Sequence, residues 1–161
     1  MIRSANKHDS QVIASIYNHY IANTFITFET EQVHSDEIYS RIQEAHKLKL
    51  PFLVYVHENQ VVGYAYASKW KGRCAYRFTA EVTVYLDPKT IRKSYGLSLY
   101  QELFSRLKQL DYHTAIGGIS LPNLASVALH EKMGMTKVAH FKETGNKFDQ
   151  WIDVGYWPKI L

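Results

Sequence analysis

Between Phe78 and Ser120 the chain spells a strand, a basic loop, a helix and a second strand, an order that belongs to a mixed sheet with helices on its faces. The first strand should run from about Phe78 to Leu86, and Pro88 ends it because proline lacks the N–H that a ladder needs. From about Ser94, Leu99, Tyr100, Leu103, Phe104 and Leu107 recur at helical spacing, and a short strand containing Gly117-Gly118 follows over Thr114 to Ser120.

The remaining elements fit the same plan. A strand over Met1 to Ser4 precedes a helix in which Val12, Ile13, Ile16, Tyr17 and Tyr20 follow the cap candidates Asp9 and Ser10. Ser35 with Asp36 and Glu37 opens a second helix, since acidic side chains suit the free amides of a first turn, and Ile38, Ile42 and Ala45 continue it. Phe52 to Val56 and Val61 to Ala67 are β-rich runs joined by the polar link His57-Glu58-Asn59-Gln60, a hairpin signature. Asn123 is a good N-cap for a helix through Val127, Leu129 and Met133, with Gly134 its stop. Strands over Thr136 to Phe141 and Lys147 to Trp157 are expected to close an α/β or α+β fold. With 161 residues, 46% of them hydrophobic, and no repeat or linker, residues 1–161 read as one domain.

Charge narrows the class of partner only partly. A net charge of +4 suits an anionic ligand, but the basic residues are scattered and form no arm or stripe, so nucleic acid is not the expected partner. The opening residues MIRSANKHDS are polar where a signal peptide needs an apolar run, and no segment nears the roughly 20 apolar residues of a membrane span. Cys74 alone can form neither an intrachain disulfide nor a zinc site, and the expectation is a cytoplasmic protein with no membrane partner and no metal.

The loop before the third helix reads Asp87-Pro-Lys-Thr-Ile-Arg-Lys-Ser-Tyr-Gly-Leu97. Such a strand-to-helix turn aims backbone N–H groups at a phosphate, and Arg92 and Lys93 add charge. Five blocks then occur in order: Ile16-Tyr17-Asn18-His19-Tyr20; Thr27-Phe28-Glu29-Thr30; Ala75 to Glu81 leading into Val84-Tyr85; Pro122-Asn123-Leu124-Ala125-Ser126 before Leu129-His130-Glu131; and Lys147-Phe148 with Trp151 to Val154. Over nearly its whole length the chain thereby resembles the GCN5-related N-acetyltransferase superfamily, in particular its phosphinothricin and methionine sulfoximine acetyltransferase branch.

The resemblance implies a mixed, mostly antiparallel central sheet flanked by helices. It also implies acetyl-CoA as co-substrate, a small-molecule amine as acceptor, and a homodimer. Backbone groups of Val84, Tyr85 and Leu86 would hold the pantetheine arm, the loop Arg92, Lys93, Ser94, Tyr95, Gly96 and Leu97 would cradle the pyrophosphate, and Asn123 and Ser126 would touch the cofactor from the next helix start. The chain departs from the family motif at Ile91, which cannot hydrogen-bond like the usual glutamine or arginine, and at Ser94, which carries a Cβ where glycine is preferred. Weakened CoA binding is therefore expected.

Amine acetylation needs a base for the ammonium and a proton for the leaving thiolate. Glu81 matches the family's catalytic glutamate; without that match it reads as a partly buried carboxylate paired with Arg73 or Arg77. His130 matches a histidine of this branch near the CoA sulfur and would donate or shuttle a proton, where a histidine on an amphipathic helix is otherwise a packing residue. Phe28, Arg73, Cys74, Ala75, Tyr76 and Arg77 are the acceptor-site candidates, the guanidinium groups suiting a carboxylate and the rings walling a side chain. The resulting expectation is acetyl transfer to the α-amine of methionine sulfoximine, methionine sulfone or phosphinothricin. Its rivals are an acetyltransferase for another amine, a domain of this fold that has lost catalysis, and a basic nucleic-acid binder.

Overall fold

A computed structural model describes residues 1–90 and 94–161. In chain order the elements are β1 (Ile2–Ser4), α1 (Ser10–Asn23), α2 (Ser35–Lys47), β2 (Phe52–His57), β3 (Gln60–Lys69), β4 (Thr79–Leu86), α3 (Tyr95–Gln109), β5 (Thr114–Leu121), α4 (Leu124–Lys132), β6 (Ala139–Lys147) and β7 (Gln150–Ile160). The strands form one seven-stranded sheet in the order β1-β2-β3-β4-β5-β7-β6. Only β4 and β5 are parallel; every other neighbouring pair is antiparallel, as expected for a mixed, mostly antiparallel sheet.

The period of two along β2 and β3 divides the core. Phe52, Tyr64 and Tyr66 stack on one face, where Tyr17 of α1 and Ile38 and Ala45 of α2 cover them. On the opposite face α3 lays down Leu99, Tyr100, Leu103 and Leu107, all at most 1% exposed, and the Tyr95 ring meets Tyr55 at 4.5 Å. The β2–β3 hairpin turns on Glu58 and Asn59, both at positive φ as a two-residue turn of the I′ kind requires. Asn123 caps α4 by accepting the Ser126 N–H at 3.1 Å, and Gly134 stops it at φ 76.

The last hairpin lies further along than the sequence suggests. Its turn is Phe148-Asp149, both at positive φ, so β6 covers Ala139–Lys147 instead of Thr136 to Phe141, and β7 runs Gln150–Ile160 instead of Lys147 to Trp157. The polar run Lys142-Glu143-Thr144 hides the strand because β6 is an edge strand, solvated along most of its length, with a bulge where its register on β7 shifts between Phe141 and Gly145. The segment from Arg73 to Arg77 is also not extended: Cys74–Tyr76 form a turn of 3-10 helix.

One seam of the sheet is short. β4 and β5 pair only at Thr79–Thr114, Ala80–Ala115 and Glu81–Ile116, after which β4 continues along β3 and β5 along β7. From Val82 and Gly117 onward the two strands part and open a slot through the sheet.

The N-terminal corner is fixed by Asp9, whose carboxylate is gripped by both Arg3 Nη atoms at 2.7 and 2.8 Å and accepts the Asn6 N–H at 2.8 Å. The guanidinium and the backbone donor hold its pKa below the usual aspartate value against the opposing effect of burial. The pair therefore contributes stability above the unfolded-state pKa of aspartate, about 4, and loses it as pH falls through the lowered folded value. We expect Asp9→Ala to cost about 1–3 kcal/mol near neutral pH, measured by urea unfolding, with the difference from the native chain shrinking in acid.

Candidate active site

The slot between β4 and β5 has unpaired backbone on its walls. Asp87 N–H donates to Val62 O at 2.9 Å while Leu86 lies opposite Gly63, so Leu86 and, two residues at a time, Val84 and Val82 turn their peptide groups away from β3 toward the slot. Tyr20 Oη donates to Leu86 O at 2.6 Å, and Tyr100 Oη lies 3.4 Å from Val82 O. Between them the N–H and C=O of Val84 face the slot, a donor and acceptor set for an amide-bearing chain. Thr83, Val84, Tyr85, Ser120, Asn123, Ser126 and His130 line its narrow cavity of about 50 Å³. Of the expected cofactor contacts, Val84, Tyr85, Asn123 and Ser126 thus converge; the Leu86 carbonyl is already engaged by Tyr20.

Beyond that end of the slot lies the start of α3. Ser94 is its N-cap at φ 58, in the left-handed region, and makes no side-chain cap. Ser98 N–H donates to Ser94 O, and among the described residues the first-turn amides of Tyr95, Gly96 and Leu97 have no backbone acceptor, which makes them candidate anion donors at the positive end of the helix. Gly96 is close-packed: a Cβ there would lie 3.3 Å from Leu129 and 3.6 Å from Leu86. Tyr95 is 7% exposed and packs instead of facing a ligand. Arg92 and Lys93, expected to add charge here, lie with Ile91 outside the described residues. The donors present, helix first-turn amides beside a lined slot, fit a phosphate-bearing thioester with a long amide arm.

Glu81 and His130 flank the slot from opposite faces of the sheet. Glu81 is on the α1–α2 face, where it lines a cavity of about 660 Å³ with Phe28, Trp70, Lys71, Gly118, Tyr156 and others. Burial pushes its carboxyl pKa up, and the charge of Lys71 opposes the shift. No ion pair to Arg73 or Arg77 forms, so the structural reading of Glu81 as their partner is not what the geometry shows. His130 is 3% exposed on the other face. Its Nδ1 lies 2.7 Å from Ser126 O, a carbonyl that only accepts, so Nδ1 carries the proton and Nε2 is left to accept from Tyr100 Oη at 3.1 Å. Desolvation lowers its pKa, which keeps the ring neutral near pH 7. It is poised to accept or relay a proton, not to deliver one as an imidazolium.

The glycine pair of β5 makes room for both. A Cβ on Gly117 would fall 2.4 Å from the His130 ring, and one on Gly118, pointing the other way, would come 3.4 Å from Glu81 Oε1 and 3.2 Å from Tyr156. Neither glycine has positive φ, so space and not backbone conformation explains them. A glycine doublet inside a strand was the sequence signal for this close approach.

Of the acceptor candidates, only Phe28 lines the large cavity. Arg73, Cys74, Ala75, Tyr76 and Arg77 are exposed on their 3-10 turn and line none of it; Arg77 donates to Cys74 O at 3.2 Å and stacks on Phe78 at 4.5 Å, spending its guanidinium locally. The cation that does line the cavity is Lys71, with Trp70 beside it. These two, with Ile26 and Tyr156, are cavity residues that sequence reasoning did not assign to the site, because they come from separate loops and a strand; Tyr100, read there only as part of a helical stripe, reaches the slot from α3.

The acetyltransferase (GNAT) domain family matches residues 2–155. Phosphinothricin N-acetyltransferase of Streptomyces viridochromogenes is 35% identical over 98% of this chain and 86% of its own. L-methionine sulfoximine/L-methionine sulfone acetyltransferase of Salmonella typhimurium is 31% identical over 96% and 91%. The crystal structure of a phosphinothricin acetyltransferase from Sinorhizobium meliloti in complex with AcCoA superposes with a TM-score of 0.97 at 31% identity, covering 100% of this chain and 88% of that one.

Two substitutions test the geometry. Ser94→Gly removes a side chain from a left-handed position and should raise stability by about 1 kcal/mol and tighten binding of CoA, both readable by calorimetry; looser binding would count against the α3 start as the anion site. Gly117→Ala should displace the His130 ring, seen as a shifted imidazole NMR signal, at a cost of about 1–3 kcal/mol.

Proposed function

Because the chain belongs to the GNAT acetyltransferase family, an acetyl-CoA-dependent N-acetyltransferase family, we propose that it acetylates the α-amine of an amino-acid-like small molecule, methionine sulfoximine, methionine sulfone or phosphinothricin. The observation that carries this reading is the placement of Glu81 and His130 on opposite faces of the sheet beside the slot. Support for the acceptor class comes from the relatives, which are named for those substrates.

Acetyl-CoA supplies the acyl group as a thioester whose thiol is the leaving group. The Val84 peptide would hydrogen-bond the pantetheine amides, and the first-turn amides of α3 from Tyr95 to Leu97, with Arg92 and Lys93 before them, would hold the diphosphate. On the opposite face, the 660 Å³ chamber takes the acceptor, with Phe28 and Trp70 as walls and Lys71 as the cation for its carboxylate. Glu81 removes the ammonium proton, a task its raised pKa suits. A second proton leaves the nitrogen as the amide forms and one is returned to the thiolate. Tyr100 Oη, hydrogen-bonded to His130 Nε2 and 3.4 Å from Val82 O, is a hydroxyl lining the slot that would give the thiolate that proton. Residues 1–161 act as one domain in this reading, as a cytoplasmic homodimer, and the exposed Val138, Phe141, Phe148 and Trp151 around the β6–β7 hairpin offer it an apolar contact face.

Thiol release from acetyl-CoA, assayed against methionine sulfoximine, methionine sulfone, phosphinothricin, free amino acids and spermidine, tests the proposal. We expect turnover of the first three, and a loss of about 10²–10⁴ in kcat for Glu81→Gln. Since the base must be deprotonated, kcat should fall in acid, with a limb above the ordinary glutamate range that Glu81→Gln abolishes. Full activity in Glu81→Gln would remove Glu81 from the mechanism.

A further inference from the structure

The connection between α1 and α2, residues 24–34, forms one side of the acceptor chamber through Ile26 and Phe28, yet it has no regular structure of its own. A buried lysine is among the groups that hold it, and the one that joins it to β6. Lys147, the last residue of β6, is 2% exposed and sends Nζ to two carbonyls of that connection, Thr24 O and Thr27 O, each at 2.8 Å. No carboxylate pairs with it among the described residues. An ammonium so placed is costly to desolvate, and an apolar residue would fill the position without that cost if packing were its only duty.

Two positions earlier on the same face of β6, Gly145 is the seat of the Phe28 ring: a Cβ there would lie 2.4 Å from Phe28 Cε2 and Cζ. Gly145 has no positive φ, so the backbone would accept alanine and the ring would not. The other end of the connection is tied separately, Asn18 exchanging two hydrogen bonds with Val33 at 2.8 and 2.9 Å. The part carrying Ile26 and Phe28 is tied to α1 by the Tyr17–Thr27 hydroxyl bond at 2.8 Å and by Thr24 on Tyr20 O, and to β6 by Lys147 and the seat at Gly145.

We propose that Lys147 is a positioning residue for the acyl acceptor: by clamping residues 24–27 onto β6 it holds Phe28 against Gly145, and the ring so placed sets which acceptor side chains the chamber admits. This rests on the reading above that the chamber takes the acceptor. Lys147 touches no reacting atom in it.

The test compares the native chain with Lys147→Met and Gly145→Ala, the second leaving the clamp intact but expelling the ring, and serving if the first does not fold. For both, we expect the acceptor KM to rise about tenfold or more across the panel above, with a changed order of preference, while the Kd for acetyl-CoA alone moves less than about threefold. Hydrogen exchange of amides in residues 24–28 should quicken in Lys147→Met, with β4 amides unchanged. Equal loss of acceptor and acetyl-CoA affinity, or unaltered exchange in that segment, overturns the proposal. Should the native chain bind acetyl-CoA and turn over no acceptor of the panel, the acceptor reading of the chamber fails, and the exchange result still decides the clamp by itself.

Discussion

Everything at the site follows from the parting of two strands. β4 and β5 share three paired positions and then each keeps its other neighbour, so a seven-stranded sheet acquires an opening in its middle without losing either half. Backbone groups that a full ladder would consume are left over, and those of Val84 become a ready binding edge. Because the opening passes through the sheet, groups on its two faces can reach the same point while staying about a sheet's thickness apart. A carboxylate on one face and a hydroxyl–imidazole pair on the other need not compete for space or for charge.

The large features of this arrangement were legible because they are written in strong periodic signals. The Leu99 to Leu107 stripe gave α3, the flanking β-rich runs gave β2 to β5, and Asn123 marked the start of α4 by side-chain chemistry alone. Glu81 and His130 were singled out by matching blocks, and composition could not have ranked them: each is ordinary until the space left by Gly118 and Gly117 sets it beside the slot. Ser94 was read as carrying a Cβ where glycine is preferred, and it adopts the left-handed conformation that favours glycine.

What stayed hidden depends on pairings between distant segments. Whether Arg73 or Arg77 faces the chamber cannot be read from alternation once the segment coils into a 3-10 turn, and the turn leaves both exposed while Lys71 lines the chamber. β6 was misplaced because an edge strand has no need of apolar alternation, and its polar middle resembles a loop. Lys147 reads in sequence as an exposed lysine next to a phenylalanine; only the fold shows it buried with carbonyls from residues more than a hundred positions earlier.

The chamber around Glu81 also has a place in time. Its walls come from the α1–α2 connection, from the segment after β3, and from Tyr156 and Pro158 on β7, the seventh strand to leave the ribosome. β5 has no antiparallel neighbour until β7 is made, and β6, which precedes β7 in the chain, reaches the sheet only through it. A nascent chain can therefore collapse its first four strands around α3 while the β7 wall of the chamber is still missing, and the chamber is complete only when the final hairpin docks. Synthesis order thus separates the folding of the core from the closing of the cavity around Glu81.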